Sequence, residues 1–285
     1  MTTVDLNSDL GEGFGTYRCG DDDAMLSVVT SANVACGFHA GDPEIMARTF
    51  KLAKERGIAI GAHPSFPDLW GFGRRRMPFT ASEIERIVAY QIGAAQALAT
   101  YAGHRITYVK PHGALSNVSE VDRHVSDAIA RAMRAVDSSL TFLCIARSEQ
   151  VKAAEAFGLA VACEIYADRG YTEEGRLIKR GEPGALIEDS NEATERALAM
   201  IESGAIITSS GKRLKTSIDS ICIHGDSSHA VAMARSLRLR LECAGVAIAA
   251  FAPPPQPARE AQEAAQEAAQ EAYVVPQLAP TTAML

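Results

Sequence analysis

Four of the seven histidines follow short apolar runs and stand within two residues of glycine or proline. Near neutral pH an imidazole can act as general acid, general base or metal ligand. One histidine in this setting is more often a packing or surface residue, but four in the same setting predict a shared pocket. The four are His39, His63, His112 and His224.

Acidic residues accompany these histidines and are further candidates for acid–base chemistry. Asp5, Asn7 and Asp9 alternate with apolar or small residues, which places them on one face of a predicted strand. Glu12 follows in a glycine-rich loop, while solvated turn acids remain the alternative for Asp9 and Glu12. Two more acids stand beside the ends of later predicted strands, Asp168 and Asp226.

Cationic and amide side chains at the predicted strand ends are candidates for binding substrate. Lys110 ends an apolar strand, so it needs either an anionic ligand or a counter-charge such as Asp9 or Glu164. Arg74 and Arg75 lie in a long Gly- and aromatic-rich loop after His63, where they could hold an anion or form a solvated basic edge. Asn7 and Asn33 add amides on two neighbouring predicted strands.

The stretch around His39 predicts a complete strand–loop–helix junction. Asn33 to Cys36 is small and mostly apolar, as in a strand buried on both faces, and Asp42-Pro43 fits a helix N-cap followed by proline at the first helical position. Helix, glycine and strand patterns then alternate along the chain, which favours a parallel α/β sheet. In such sheets the strand C-termini open on one face, so the histidines should meet there.

Composition narrows the classes of function. The chain has 285 residues, of which 47% are hydrophobic, and a net charge of −7, which gives no basic footprint for nucleic acid or an anionic membrane. No apolar run reaches the ~18 residues of a membrane helix, so we expect a cytoplasmic protein. The six cysteines include no Cys-x-x-Cys pair, which favours reduced thiols.

We expect one domain over 1–252 and a low-complexity Pro/Ala/Gln/Glu tail over 253–285.

The motifs together resemble the LamB/YcsF family. The matching pieces run in order from residue 4 to about 250, and two positions depart: Ser8 stands where the family often has cysteine, and Ser116 where it usually has tyrosine. The resemblance rests on Asp5-Leu-Asn-Ser-Asp-Leu-Gly-Glu-Gly-Phe-Gly15, Ser31 to Pro43, Gly61-Ala-His-Pro64, Gly71-Phe-Gly-Arg-Arg75, Val109-Lys-Pro-His-Gly-Ala-Leu115, Ala167-Asp-Arg169 and His224-Gly-Asp226.

This resemblance implies a distorted β/α barrel of seven strands, similar to the glycoside hydrolase and polysaccharide deacetylase barrels. It also implies ATP-dependent, hydrolytic opening of 5-oxo-L-proline to L-glutamate, with ATP and Mg²⁺, in a complex with 5-oxoprolinase subunits B and C. Where ATP binds, whether a metal is held, and whether the chain forms a homo-oligomer stay open.

Two other classes of function remain to be weighed. One is a divalent-metal-dependent deacetylase or amidohydrolase on a related barrel, with Asp9, His39 and His63 as the metal ligands. The other is a non-catalytic subunit that only binds the substrate. Metal content would separate the first from the ATP-coupled reaction, and ligand binding without turnover would identify the second.

Overall fold

A computed structural model describes residues 2–223 and 230–252. The predicted site residues His224 and Asp226 and the predicted tail at 253–285 lie outside the described residues. Within the described part, no helix combines the length and apolarity needed to cross a membrane.

Seven parallel strands close into a barrel, as the resemblance implied. Their order is β1-β2-β3-β4-β5-β6-β9, and β9 pairs again with β1, while β10 adds to β1 and the β7–β8 hairpin stands apart. The strands are β1 (Thr3–Leu10), β2 (Ser31–Ala35), β3 (Ala59–His63), β4 (Ile106–Val109), β5 (Thr141–Ile145), β6 (Val161–Tyr166), β7 (Ala205–Ile207), β8 (Arg213–Lys215), β9 (Ser220–Cys222) and β10 (Ala247–Ile248).

Helices surround the barrel. Those in the described residues are α1 (Asp22–Leu26), α2 (Pro43–Glu55), α3 (Ala81–Tyr101), α4 (Gly113–Val121), α5 (Arg123–Val136), α6 (Glu149–Ala156), α7 (Ser190–Ser203) and α8 (Ala230–Cys243). The predicted start of α2 is confirmed, because the Asp42 carboxylate accepts from the N–H groups of Glu44 and Ile45. A capping box of Thr80 and Glu83 opens α3.

The main apolar core lies between the barrel and the helices. Val4, Leu6 and Leu10 of β1 belong to it, together with the inward faces of the helices. The intervening Asp5, Asn7 and Asp9 instead bond to side chains of other barrel residues. The predicted polar face of the first strand is therefore one side of a polar barrel interior, where many α/β barrels carry branched aliphatic residues.

Gly61 leaves room for the Tyr108 ring in the barrel interior. It lies opposite Tyr108 in the β3–β4 pair, and a Cβ at position 61 would fall on the Tyr108 ring. The Tyr108 hydroxyl donates to Asn33 Oδ1 at 2.8 Å, so displacing the ring would also disturb the polar interior.

We expect Gly61→Ala to lower the free energy of unfolding by about 1–3 kcal/mol, because the added methyl overpacks this contact. Urea unfolding measures the change. Gly93→Ala in α3 is the matched control: nothing lies within 4 Å of a Cβ there, and alanine has the higher helix propensity, so stability should hold or rise by up to about 1 kcal/mol. Equal effects at both sites would contradict the packing role of Gly61.

Candidate functional site

Three of the four predicted histidines meet at the C-terminal end of the barrel. His39 lies in the loop after β2, His63 ends β3, and His112 lies just after β4. Glu12, in the loop after β1, joins them: one ligand atom from each of the four residues lies within 4.8 Å of the others, and all four are buried. The predicted convergence is confirmed for these three histidines.

Backbone carbonyls fix the orientation of two of the imidazoles. His63 Nδ1 lies 2.7 Å from the Lys110 carbonyl, and His112 Nε2 lies 2.9 Å from the Phe72 carbonyl. A carbonyl can only accept, so each of these nitrogens carries the proton. The other two nitrogens, His63 Nε2 and His112 Nδ1, face each other at 3.0 Å, and in neutral imidazoles both would be acceptors.

The remaining contacts of the cluster involve His39 and Glu12. The His39 ring stacks on the His112 ring with centroids 3.8 Å apart, and His39 Nε2 lies 3.2 Å from Glu12 Oε1. Burial, with the neighbouring histidines, holds the pKa of His39 and that of His112 well below the ordinary value. Both imidazoles are consequently neutral at pH 7 and can accept a proton or a cation.

The long loop after β3 is a folded part of the site. The side-chain amide of Gln91, on α3, accepts from the N–H of Ser65 and donates to its carbonyl, both at 2.9 Å. At the other end of the loop Phe72 has a φ of 54° and Gly73 one of 64°. A Cβ on Gly73 would meet the side chains of Ser65, His39 and His112, so only glycine allows the loop to lie this close.

Lys110, a candidate for binding substrate, lies among acidic side chains of the barrel. Its side chain is only 2% exposed, and its Nζ lies 3.1 Å from both Asp9 Oδ1 and Glu164 Oε2. Burial opposes its charge, but Asp9 and the other acidic neighbours raise the pKa of Lys110 well above its ordinary value. Asp9 and Glu164 thus supply the counter-charge that was predicted as the alternative to an anionic ligand.

A chain of hydrogen bonds continues from this ion pair into the barrel. Asn33 Nδ2 donates to Asp9 Oδ1 at 2.8 Å and to Asn7 Oδ1 at 2.7 Å, and Asn7 Nδ2 donates to Ser220 Oγ at 2.7 Å. Ser220 in turn donates to Asp5. Asn7 and Asn33 therefore lie inside the barrel and orient Asp9, while neither lines the cavity described next.

A cavity of about 750 Å³ opens beside the cluster and is lined by Asp9, His63, Lys110 and His112. Its lining holds seven lysine and arginine residues against four acidic ones, which favours an anionic ligand. The basic residues are Arg74, Arg76, Lys110, Arg169, Arg176, Lys179 and Arg180.

Two predicted site residues lie elsewhere. The Arg75 side chain is 66% exposed and binds Asp68 on its own loop, with Nε 3.0 Å from Oδ1, so it does not line the cavity. Asp168 follows β6, and its carbonyl accepts from the N–H of Ile187, outside the histidine cluster. Two adjacent arginines in one loop point to different places, which their sequence could not distinguish.

Sequence reasoning missed two supporting residues. Gln91 lies buried in the otherwise apolar stripe of α3, and a buried amide in such a stripe is itself a signal of a specific hydrogen bond. The Tyr166 hydroxyl donates to Glu164 Oε1 at 2.7 Å and so helps to hold the acid that pairs with Lys110.

The sequence matches the LamB/YcsF family over residues 4–256. The chain belongs to the LamB/YcsF family. A relative from Azorhizobium caulinodans, named as the A subunit of 5-oxoprolinase, is 62% identical over 253 residues, which is 89% of this chain and 100% of the relative. One from Gluconobacter oxydans with the same name is 58% identical, over 87% of this chain and 98% of the relative.

A solved structure supports the fold of this LamB/YcsF protein. The lactam utilization protein from Thermus thermophilus superposes with a TM-score of 0.83 at 41% identity. The match covers 88% of this chain and 100% of the other. The seven-stranded α/β barrel is therefore shared with a solved relative.

Lys110→Met should destabilise this LamB/YcsF protein by about 3–5 kcal/mol, because Asp9 and Glu164 would remain as uncompensated buried acids. Chemical unfolding measures the loss. Lys152→Met is the matched control, since Lys152 is exposed and pairs with Glu149 on the surface, where ion pairs contribute little. A Lys110→Met protein as stable as the parent would show that the lysine is not held by this pair.

Asp5 provides a test of the buried network through pH. Burial raises its pKa from 3.8 to about 6, although hydrogen bonds from Ser220, Ser31 and Thr30 oppose the shift. The folded state binds this proton more tightly than the unfolded state, so the stabilisation is present at low pH and is lost as pH rises through about 6.

Asp5→Asn removes this titration. The free energy of unfolding of the parent relative to the variant should fall by roughly 2 kcal/mol between pH ~4 and pH ~7. Denaturant unfolding of both proteins across that range gives the difference. A difference that does not change with pH would mean that the Asp5 carboxyl has no raised pKa in the folded protein.

Proposed function

We propose that this chain is the A subunit of an ATP-dependent 5-oxoprolinase and that it opens the 5-oxo-L-proline ring at the end of its barrel. The observation that carries the proposal is the 62% identity, over nearly all of the barrel, to a relative that bears this subunit's name. The buried cluster and the basic cavity lie within the matched residues.

The chemistry explains the need for ATP. Hydrolysis of an unstrained five-membered lactam is uphill or nearly so, and the amide carbonyl is a poor electrophile. Transfer of the γ-phosphoryl group from ATP to the lactam oxygen, with release of ADP, activates the ring carbon. One water adds there, the C–N bond breaks, and the nitrogen takes a proton, which gives γ-glutamyl phosphate. A second water releases phosphate and leaves L-glutamate.

The cavity suits a small anion of this kind. Its volume lies within the usual range for small-molecule sites, and its excess of cations favours the substrate carboxylate and an added phosphoryl group. Because Lys110 is already paired, we assign the carboxylate contact to Arg74, whose guanidinium lies 5.1 Å from the centre of the Phe72 ring beside the cluster. Of the three predicted candidates, Lys110, Arg74 and Arg75, this keeps Arg74 alone.

Asp9 is the best-placed general base for water. Its carboxylate lines the cavity, and Oδ1 lies 3.3 Å from His63 Nε2. Lys110 and Asn33 donate to the same oxygen, so the carboxylate is held in one orientation. Lys110 acts here as a positioning residue for the Asp9 carboxylate.

The complete reaction needs partners and nucleotide. We propose that the chain works with 5-oxoprolinase subunits B and C and with ATP and Mg²⁺, as the resemblance implies. The relatives' name, which designates one lettered subunit of 5-oxoprolinase, is consistent with an enzyme of several subunits.

The test combines the purified chain with subunits B and C and measures glutamate and phosphate from 5-oxoproline and ATP. Asp9→Asn should lower kcat by roughly 10²- to 10⁴-fold, the usual contribution of a general base. Arg74→Met should raise KM for 5-oxoproline by roughly 10- to 150-fold, since a charge-assisted hydrogen bond is lost. Arg75→Met should leave KM little changed, because Arg75 lies outside the cavity.

Each alternative gives a different result. No 5-oxoproline-dependent phosphate release from the parent complex would refute the proposed reaction. Full turnover by Asp9→Asn would leave this chain with a binding role only. If KM rises more for Arg75→Met than for Arg74→Met, the assignment of the two arginines is reversed.

A further inference from the structure

Two acceptor nitrogens face each other inside the histidine cluster. The outer nitrogens of His63 and His112 are bound to the carbonyls of Lys110 and Phe72 and must be protonated. In neutral imidazoles the inner nitrogens, 3.0 Å apart, then both present lone pairs. Lone pairs at this separation repel each other unless a cation or a proton lies between them, so the arrangement is incomplete as a set of neutral side chains.

The other two members of the cluster point to a metal cation. A proton shared by His63 and His112 would satisfy only those two nitrogens. Glu12 Oε1 also lies 3.5 Å from His112 Nδ1 and 3.2 Å from His39 Nε2, so a carboxylate and a third imidazole converge on the same point. Four donors around one point are what a metal ion needs and more than a proton can use.

The separations fit a coordination shell. A tetrahedral ion with ligands at 2.0–2.1 Å has neighbouring ligand atoms about 3.4 Å apart. The contacts of 3.0, 3.2 and 3.5 Å fall around that value, and no pair exceeds 4.8 Å. Three imidazoles and one carboxylate suit zinc and related transition metals better than Mg²⁺ or Ca²⁺, which prefer all-oxygen shells.

The surroundings are those of a supported site. Metal-binding histidines usually donate the other ring N–H to a carbonyl or carboxylate, as His63 and His112 do here. The carbonyl for His112 belongs to Phe72, whose left-handed backbone is unfavourable for a residue other than glycine and is retained by its surroundings. His63 and His112 also line the cavity, so the point where the donors meet borders space for a ligand.

We propose that Glu12, His39, His63 and His112 bind one divalent transition-metal ion of the zinc class. This set keeps two of the three ligands considered from the sequence and replaces Asp9 by Glu12 and His112. Asp9 has another role in the structure, since its oxygen accepts from Lys110 and Asn33. Such an ion would border the cavity, where it could polarise a carbonyl or phosphoryl oxygen of the substrate.

The test is metal binding by the full chain without substrate. The protein is stripped with a chelator and titrated with Co²⁺ and with Zn²⁺, and the Co²⁺ visible spectrum, the binding stoichiometry and the melting temperature are recorded. We expect one ion per chain, a Co²⁺ spectrum of low coordination number, and a higher melting temperature with Zn²⁺. Fewer than one ion per several chains, with no change in melting, would overturn the proposal.

Variants identify the ligands. Glu12→Gln and His112→Ala should each weaken Co²⁺ binding by more than the roughly 10- to 100-fold that loss of an outer partner costs. Asp9→Asn should weaken it by less than that. His124→Gln, on the exposed surface of α5, is the matched histidine control and should bind as the parent does. Loss of binding in Asp9→Asn with retention in Glu12→Gln would refute the proposed ligand set.

Two features of the experiment separate metal binding from folding and from 5-oxoprolinase activity. Far-UV circular dichroism of each stripped variant shows whether it is folded, and the parent stoichiometry decides the proposal even if one variant is not. Because no substrate is present, stoichiometric binding can be found even if the complex has no 5-oxoprolinase activity. Failure of the metal site and failure of the proposed function are thus distinguishable.

Discussion

One buried ammonium group constrains the interior of this barrel. Lys110, at the end of β4, extends between Asp9 of β1 and Glu164 of β6, and each contact is 3.1 Å long. Burying an ion costs several kcal/mol unless good geometry and further hydrogen bonds compensate it. The interior therefore has to be polar around the lysine, which is why Asn7, Asn33 and the Tyr166 hydroxyl lie where many barrels place aliphatic side chains.

The same lysine connects the interior to the histidine cluster. Its side chain holds Asp9, while its backbone carbonyl accepts from His63 Nδ1 and so decides which nitrogen of His63 faces the cluster. Asp9 Oδ1 lies 3.3 Å from His63 Nε2, the nitrogen that faces the cluster. A change at position 110 would therefore alter the charge near Asp9 and the stability of the barrel together. The two effects have to be separated by measuring stability beside kinetics.

Much of the fold followed from local sequence. Helix starts such as Asp42-Pro43 and Thr80 to Glu83 depend on backbone N–H groups within a few residues, so short patterns define them. The alternation of Asp5, Asn7 and Asp9 likewise predicted one polar strand face. The convergence of His39, His63 and His112 followed from the rule that parallel strands end on the same side of the barrel.

The partners across the barrel could not be read in this way. Lys110 and Glu164 are 54 positions apart in the sequence. Whether the lysine pairs with Glu164 or with a substrate depends on three-dimensional distances alone. The same holds for Arg74 and Arg75, whose different destinations depend on the bond between Arg75 and Asp68.

The loop after β3, which covers the histidine cluster, and the polar barrel interior are held rigid by different interactions. Charges and hydrogen bonds fix the interior, whereas the loop after β3 is fixed by Gln91 at one end and by the close approach of Gly73 to the histidines at the other. The left-handed backbone of Phe72 is tolerated because its carbonyl then accepts from His112. Local strain in the loop thus fixes which nitrogen of His112 faces the cluster, as the lysine carbonyl does for His63. Two independent parts of the fold thereby present two acceptor nitrogens to one point.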